Sequence, residues 1–377
     1  MKRESSINPK PDHDSNSANN NQEAPPQARN SGSSSLLKIL FIGFLAVGLF
    51  AVVAWYFCIH MPGQSFSNDQ AEAATQEPEP EKQPTLPEEL RSHVTHLAET
   101  IGERNLQKHK QLCQAADYIE QNLKGNGYPT ERQTFEVNGL DCHNISAEIK
   151  GQVSPEEIVI IGAHYDSVVG TPGANDNGSG TAAMLALANH FKDAQPEKTL
   201  RFVAFTNEEP PYFQNRGQMG SWVYAERCRK LAEKIVAVLS LETMGYFSDE
   251  PDSQKYPAPL NLMYPSTGNF IGFVSNLNSR ELQRRIIKVF RENAQMPSEG
   301  ASLPSATPGV GWSDHWSFWQ EGYVGIMITD TAPFRYPHYH QATDTPDKID
   351  YERLAKVVEG LQPVTRDLVG LKSELED

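Results

Sequence analysis

Residues 158–166 read IVIIGAHYD, an apolar run that ends on a histidine and an aspartate. A short continuous run such as Ile158–Ala163 is typical of a strand that is buried on both faces. His164 and Asp166 follow where that strand would end. The stretch therefore predicts a strand inside a covered sheet, with polar chemistry at its carboxyl end.

The chain around this strand alternates between strand and helix patterns. Further strands are predicted at 130–137, 144–149, 200–205, 235–241 and 323–328. Helices are predicted within 88–124 and at 180–191, 220–234, 280–293 and 351–371. Residues 246–270 and 297–311 are predicted as loops because they are rich in Pro, Ser or other small residues. The alternation predicts an α/β fold with a mixed, mostly parallel central sheet and helices on both faces.

A transmembrane helix is expected at 36–60. Ile39–Ile59 are 21 residues without a formal charge, and at about 1.5 Å per residue a helix of that length crosses a bilayer. A cleaved signal peptide is the alternative, but its apolar region would be shorter, about 7 to 15 residues. Arg29 and Lys38 precede this uncharged run and no Lys or Arg follows it until Lys82, so we expect a cytoplasmic N-terminus and an extracytoplasmic domain.

The segments on either side of this helix have different compositions. Residues 1–35 are rich in Ser, Asn, Pro and Gln, which predicts a disordered cytoplasmic tail. Residues 61–87 become rich in Pro and Glu, which predicts an extended stalk. The folded domain is expected at 88–377.

Composition excludes some classes of protein. The chain of 377 residues has 33 Lys and Arg against 48 Asp and Glu, a net charge of −15, which argues against nucleic acid as a partner. Four cysteines without a C-x-x-C spacing exclude a disulfide scaffold and a Cys-rich zinc module. The sequence leaves open whether Cys113 and Cys142 form a disulfide.

Carboxylates and imidazoles follow most of the predicted strands. They are His164, Asp166, Asp176, Glu208, Glu209, Glu242 and, later in the chain, His340, with His315 and His338 as competing imidazoles. Because ligands in α/β sheets bind at the carboxyl ends of strands, we expect these groups to converge. Such a ligand set suits zinc, and its several carboxylates favour two ions that share a bridging group. Simpler roles stay open, including a core position for His164 and a helix N-cap for Asp176.

The order of these motifs resembles a known family. H-x-D at 164–166, N-D-N-x-S-G at 175–180, N-E-E at 207–209, a carboxylate at 242 and Y-H-x-x-x-D-T at 339–345 are similar to the co-catalytic two-zinc aminopeptidases, metallopeptidase family 28. The resemblance runs from residue 90 to residue 370.

The resemblance implies two zinc ions per chain and a role for each residue. Asp176 would bridge the ions, His164 and Glu242 would complete one site, and Glu209 and His340 would complete the other. Glu208 would be the general base, and Asp166 would orient His164. Two features depart from the family pattern: Glu242 stands where Asp is often found, and the loop 210–219 is enlarged.

These observations predict a membrane-anchored zinc exopeptidase, an aminopeptidase that acts on peptide substrates. A carboxypeptidase or dipeptidase is an alternative and would need a cationic pocket, for which Arg201, Arg216 and Arg335 are available. A glutaminyl cyclase of the same fold, which generally uses one zinc, is a second alternative. A catalytically inactive receptor-like domain is less favoured because all five ligands and the base are present. Oligomeric state is left open.

Overall fold

The structure is a computed structural model, and it describes residues 84–371. The expected tail, the transmembrane helix and residues 61–83 of the expected stalk lie outside the described residues. Within 84–371, no helix has the length and apolar character needed to cross a membrane. The first helix begins at Leu86, two residues before the expected start of the domain.

One eight-stranded sheet forms the centre of the described domain. Its strands are β1 (Thr130–Val137), β2 (Leu140–Ile149), β3 (Ser154–His164), β4 (Lys198–Phe205), β5 (Lys234–Glu242), β6 (Ile271–Asn276), β7 (Ser298–Leu303) and β8 (Ile326–Thr329). Their spatial order is β1-β2-β4-β3-β5-β8-β6-β7. The four central strands β4, β3, β5 and β8 are mutually parallel, whereas β1–β2, β2–β4 and β6–β8 pair antiparallel.

Eight α-helices surround the sheet in the described part of the chain. They are α1 (Leu86–Thr95), α2 (His109–Gly125), α3 (Gly180–Phe191), α4 (Gly220–Lys230), α5 (Arg280–Asn293), α6 (His315–Gln320), α7 (Ala332–Arg335) and α8 (Tyr351–Val369). A π-helical turn, His96–Ile101, continues α1, and another, Ala174–Ser179, leads into α3.

Two apolar cores lie on opposite faces of the sheet, as alternation along β3 shows. Val159 and Ile161 belong to the larger core with α1, α2, α3, α5 and α8. Ile158 and Ile160 belong to the smaller core, where α4 and α6 pack. Because successive side chains of a strand point to opposite faces, this division confirms the expectation of a mixed sheet covered on both sides.

The prediction of secondary structure was wrong in several places. Residues 297–311 contain β7, and β6 and α6 were not predicted. The strand expected at 323–328 is β8, which begins only at Ile326, and α4 ends at Lys230, four residues early. β7 reads SEGASL, with small residues of low strand propensity, so its pairing with β6 gives it its strand conformation. Cys113 and Cys142 both carry free thiols.

Candidate metal centre

The carboxyl ends of the parallel strands bring the expected polar residues to one edge of the sheet. His164 is the last residue of β3 and Glu242 is the last residue of β5. Glu208 and Glu209 follow β4, and Asp176 lies in the π-helical turn before α3. Neighbouring parallel strands thus deliver side chains from distant parts of the sequence to one site.

Two groups of three potential metal ligands share one carboxylate. His164, Asp176 and Glu242 form the first group, and Asp176, Glu209 and His340 form the second. In each group, one ligand atom per residue lies within 4.8 Å of the others. The two groups contain all five residues expected to bind metal.

Asp176 lies between the two histidines. Its Oδ1 is 3.4 Å from His164 Nε2, and its Oδ2 is 3.1 Å from His340 Nε2. Glu242 Oε2 lies 3.2 Å from His164 Nε2, and Glu209 Oε2 lies 3.2 Å from His340 Nε2. Each carboxylate oxygen of Asp176 therefore faces a different ligand group, as the oxygens of a ligand that bridges two metal ions would.

Several ligand atoms are buried without hydrogen bonds. Among the described residues, His164 Nε2, His340 Nε2 and Glu209 Oε1 have no hydrogen-bond partner. Buried polar atoms are nearly always satisfied, so these atoms fit metal ligation. Nitrogen and carboxylate donors without cysteine suit zinc.

The buried carboxylates also raise the pKa values of the two histidines. Burial alone would lower the pKa of His164, but Glu242 and Glu208 raise it well above its usual range. Burial likewise opposes protonation of His340, yet the carboxylates of Asp176 and Glu209 beside it raise its pKa to about 10. Each histidine pKa is raised by surrounding negative charge, so the site favours bound cations, which would keep both imidazoles neutral as ligands.

Glu208 occupies a different position from Glu209. Glu208 belongs to neither ligand group, and its Oε2 lies 3.9 Å from His164 Nε2. Burial raises its pKa well above the usual range, and Glu242 and Glu209 raise it further. The structure therefore places a carboxyl group beside the ligands that is not needed to hold a metal.

Asp166 supports both the imidazole and this pair of glutamates. Its Oδ1 lies 3.4 Å from His164 Nδ1. The same Oδ1 accepts a hydrogen bond from Glu208 N (3.1 Å), and Oδ2 accepts one from Glu209 N (3.1 Å). Asn207, just before them, has φ of 55°, a left-handed conformation that is uncommon for a side-chain-bearing residue. One carboxylate thus orients His164 and the turn after β4 together.

The asparagines on either side of Asp176 hold its loop against neighbouring strands. Asn175 donates to Asp330 Oδ2 (2.8 Å) and accepts from Gly245 N (2.8 Å). Asn177 donates to the Leu241 carbonyl (2.8 Å). The N-D-N motif therefore provides one potential ligand and two side chains that fix the ligand's position.

Three supporting residues were missed by the sequence analysis. Arg104, fully buried, donates to the carbonyl oxygens of Tyr165 (2.5 Å) and Gly173 (2.7 Å) and so ties down the loop before Asp176. Ser313 donates to Glu242 Oε2 (2.7 Å). Asp344 accepts from the backbone N–H groups of Asn175 (2.8 Å) and Asp176 (3.1 Å). Asp344 had a sequence signal because it follows His340 in a motif, and Ser313 had one because residues 313–315 resemble a family segment that lines the site. Arg104 had none.

The other two candidate histidines do not reach the site. His315 is buried 2.8 Å from the Val310 carbonyl, with its ring edge-on to Trp319. His338 is half-buried and bonds Thr343 Oγ1 (2.8 Å). His340 alone among the three contributes to a ligand group of the described chain.

A cavity opens from the metal centre across the sheet face formed by β8, β6 and β7. It measures about 810 Å³, including space open to solvent, and we call it the side cavity. Its lining includes Glu242, Tyr339, Tyr256, Phe270, Trp312 and Glu299. The Tyr339 ring stacks on His340 with centroids 3.8 Å apart, so the cavity begins directly beside the potential ligands.

Comparisons with known proteins identify the family of this chain. Residues 144–364 match the model of peptidase family M28. The chain is 34% identical over 284 residues to the uncharacterized protein YfbL of Escherichia coli K12, covering 73% of this chain and 86% of that protein. It is 25% identical over 271 residues to leucine aminopeptidase 1 of Arthroderma otae, covering 66% of each. The chain therefore belongs to peptidase family M28, and its interpretation as a zinc metallo-exopeptidase is confirmed.

Solved structures agree on the fold. The zinc aminopeptidase BSAP of Bacillus subtilis superposes with a TM-score of 0.60 at 16% identity, covering 76% of this chain and 96% of that one. A glutaminyl cyclase of Fimbriiglobus ruber superposes with a TM-score of 0.56 at 20% identity, covering 80% and 100%. Two different activities share this fold, so the site must distinguish them.

We expect Asp344→Asn to weaken zinc binding about 10- to 100-fold, as loss of a residue that orients a ligand typically does. An amide can accept from only one of the two backbone N–H groups that Asp344 now holds. Titration against a competing chelator measures the change. Asp347→Asn, an exposed residue three positions later, is the matched control, and unchanged affinity in Asp344→Asn would contradict the positioning role.

Proposed function

We propose that this chain is a two-zinc aminopeptidase that removes N-terminal residues from peptides. The position of Asp176, with one oxygen toward each ligand group, is the observation that carries the proposal. One zinc ion would be held by His164, Asp176 and Glu242, and the other by Asp176, Glu209 and His340. When bound, such a pair lowers the pKa of a shared water and polarises the scissile carbonyl.

Glu208 is proposed as the general base. It is buried next to the ligands and is held by its backbone N–H to Asp166 Oδ1 (3.1 Å), which leaves its carboxyl group available. In this role it takes a proton from the attacking water and returns it to the leaving amine. Asp166 keeps Glu208 and Glu209 in place through hydrogen bonds from their backbone N–H groups, and it lies 3.4 Å from His164 Nδ1.

The charge of the side cavity favours a substrate with a free amine over one with a free carboxylate. Among residues 84–371, its lining includes Glu242 and Glu299 as charged members and no Lys, Arg or His. Arg201 instead pairs with Glu148 and Glu233, and Arg216 pairs with Glu226.

Arg335, the remaining candidate, is bound internally. It is buried, its Nε donates to Gln254 Oε1 (2.7 Å) and its Nη1 donates to the Phe270 carbonyl (2.8 Å), while its Nη2 has no hydrogen-bond partner in the described chain. None of the three arginines named as possible anchors for a terminal carboxylate lines the side cavity. This arrangement supports an aminopeptidase over a carboxypeptidase.

The ligand set also argues against a cyclase and against an inactive receptor-like domain. A cyclase that uses one zinc has no need for a second complete group, yet Glu209 and His340 form one with Asp176. An inactive receptor-like domain has no need to retain Glu208 beside five ligands. The complete set supports hydrolysis.

The zinc-loaded full-length chain should hydrolyse amino-acid p-nitroanilides that carry a free α-amine and leave their N-acetylated counterparts intact. Chelation should abolish this activity and zinc should restore it, because the ligand groups hold the ions that activate water. Release of p-nitroaniline measures the rate. Cleavage of blocked substrates at equal rates would exclude an aminopeptidase, and silence with every substrate would redirect the proposal to cyclase or dipeptidase chemistry.

Glu208→Gln and Glu209→Gln form a matched pair of adjacent changes with different expected results. Glu208→Gln should lower kcat by about 10²- to 10⁴-fold, the usual contribution of a general base, with zinc content near that of the wild type. Glu209→Gln should lose zinc from one site. Metal analysis alongside kinetics separates the two, and a fully active Glu208→Gln would refute the assignment of the base.

We also propose that residues 36–60 anchor the enzyme in a membrane, with the N-terminus cytoplasmic and the domain extracytoplasmic. The uncharged run Ile39–Ile59 and the positive charge before it support this proposal.

Alkaline extraction of membranes should leave the full-length chain in the pellet because an apolar helix stays in the bilayer. A double change, Leu45→Arg with Val52→Arg, should release the chain to the supernatant, since each charge at a helix centre costs about 2.5 to 3.5 kcal/mol. Protease added to spheroplasts should digest the domain of the unchanged chain. Extraction of the unchanged chain into the supernatant, or full protection from protease, would contradict the anchor or its orientation.

A further inference from the structure

A row of residues paired across four strands runs from Glu242 of the metal centre to Glu299, a carboxylate outside that centre. Glu242 of β5 pairs with Thr329 of β8, Thr329 pairs with Gly272 of β6, and Gly272 pairs with Glu299 of β7. All four residues line the side cavity. Because residues paired across a sheet project to the same face, Glu242 and Glu299 stand at two ends of one row on one face.

Gly272, in the middle of this row, has no side chain. A Cβ built there would crowd the Thr329 carbonyl oxygen at 3.2 Å and Thr331 Cγ2 at 3.4 Å. The other face of the same strands packs on the larger core through Ile271, Phe273 and Ile328. Gly272 lines the side cavity, so backbone forms the cavity wall between Glu242 and Glu299 at this point.

Glu299 has no close cationic partner in the described chain. No Lys or Arg nitrogen of residues 84–371 lies within 4.0 Å of its carboxylate. Arg291 is the nearby cation, and its guanidinium is engaged with Ser298 Oγ (3.1 Å) and the Ser298 carbonyl (2.7 Å). Burial raises the pKa of Glu299, with partial opposition from Arg291. A cation arriving in the cavity would stabilise the ionised carboxylate.

The walls between the two carboxylates are largely aromatic. Tyr256 stacks on Tyr264 with centroids 5.7 Å apart, and Trp312 stacks on Phe334 at 6.2 Å. Phe270 is a further wall, and the Arg335 guanidinium already lies over its ring, 4.5 Å from the centroid, so it offers apolar contact only. Aromatic faces pack against methylene groups and also attract cations, so these walls suit a side chain with an apolar stem and a positive end.

Glu299 stands well away from the metal centre along this row. Neighbouring strands are about 4.8 Å apart, so three steps separate the Cα atoms of Glu242 and Glu299 by about 14 Å. An extended lysine side chain carries its ammonium about 6 Å from its own Cα, about 2 Å farther than a leucine side chain reaches. A long cationic side chain therefore extends farther toward Glu299 than leucine does.

We propose that the side cavity receives the side chain of the substrate's N-terminal residue, and that Glu299 makes the enzyme select lysine and arginine at that position. This inference rests on the proposed aminopeptidase function. Glu299 is a specificity-determining residue here and takes no part in bond cleavage. The cation is recognised by the carboxylate at the far end of the cavity, and the stem by the aromatic walls.

The test compares lysine and norleucine p-nitroanilides, which differ only by the terminal ammonium, on the zinc-loaded full-length chain. Wild type should favour lysine by about 10- to 100-fold in kcat/KM, the range for a hydrogen bond to a charged group. Glu299→Gln should remove this preference while leaving kcat/KM for norleucine and the zinc content unchanged. Glu292→Gln, an exposed glutamate on α5, is the matched control and should keep the preference.

The outcomes separate this inference from the proposed function. Hydrolysis of norleucine substrate as fast as lysine substrate by the wild type would overturn the inference and leave the aminopeptidase standing. A lysine preference that survives Glu299→Gln would also overturn it. No hydrolysis of either substrate would overturn the aminopeptidase proposal and this inference with it. Retained norleucine activity in Glu299→Gln shows that the variant is folded, and reversal toward glutamate p-nitroanilide in Glu299→Lys would support the assignment further.

Discussion

The carboxylate of Asp176, placed between His164 and His340, is the constraint on which the site depends. The two histidines come from positions 176 residues apart in the numbering, one at the end of β3 and one in the loop after α7. They can face the same carboxylate only if the sheet, the π-helical turn and that loop are all in place. Asn175, Asn177, Arg104 and Asp344 hold the turn through hydrogen bonds, so much of the surrounding polar network serves this one position.

Burial of so many acidic groups would oppose folding if their charges were not balanced. Asp176, Glu208, Glu209 and Glu242 are each less than one-tenth exposed, and unpaired buried charge is costly. Divalent cations held by these residues would offset that cost, so the buried negative charge favours metal binding. Asp166 holds Glu208 and Ser313 holds Glu242 through hydrogen bonds. The ligand atoms His164 Nε2 and His340 Nε2 have no hydrogen-bond partner among the described residues and so stay available to a metal ion.

One face of the sheet is covered by helices over some of its strands and borders the side cavity over the others. Over β4, β3 and β5 the smaller core is filled by α4 and α6. Over β8, β6 and β7 the corresponding face carries Gly272 and Glu299 and borders the cavity. The loops 246–270 and 304–312 supply several of its walls, including Tyr256 and Trp312. The fold of the family places the candidate metal ligands at one edge of the sheet. These loops and the edge strand β7 shape the cavity beside those ligands.

The sequence alone determined the central strands, the order of the motifs and the family, because a buried strand leaves a continuous apolar run and its polar end residues stand directly after it. The choice among His315, His338 and His340 came from resemblance, and their spacing left it open. Tertiary structure decided β6 and β7, whose short and partly polar sequences become strands by pairing. It also decided the roles of Arg104 and Ser313 and the alignment of Glu242 with Glu299 across three strands. Such contacts depend on register between segments far apart in the chain. The alternation within one strand shows which side chains share a face, but the residue that stands opposite each of them is decided by the partner strand.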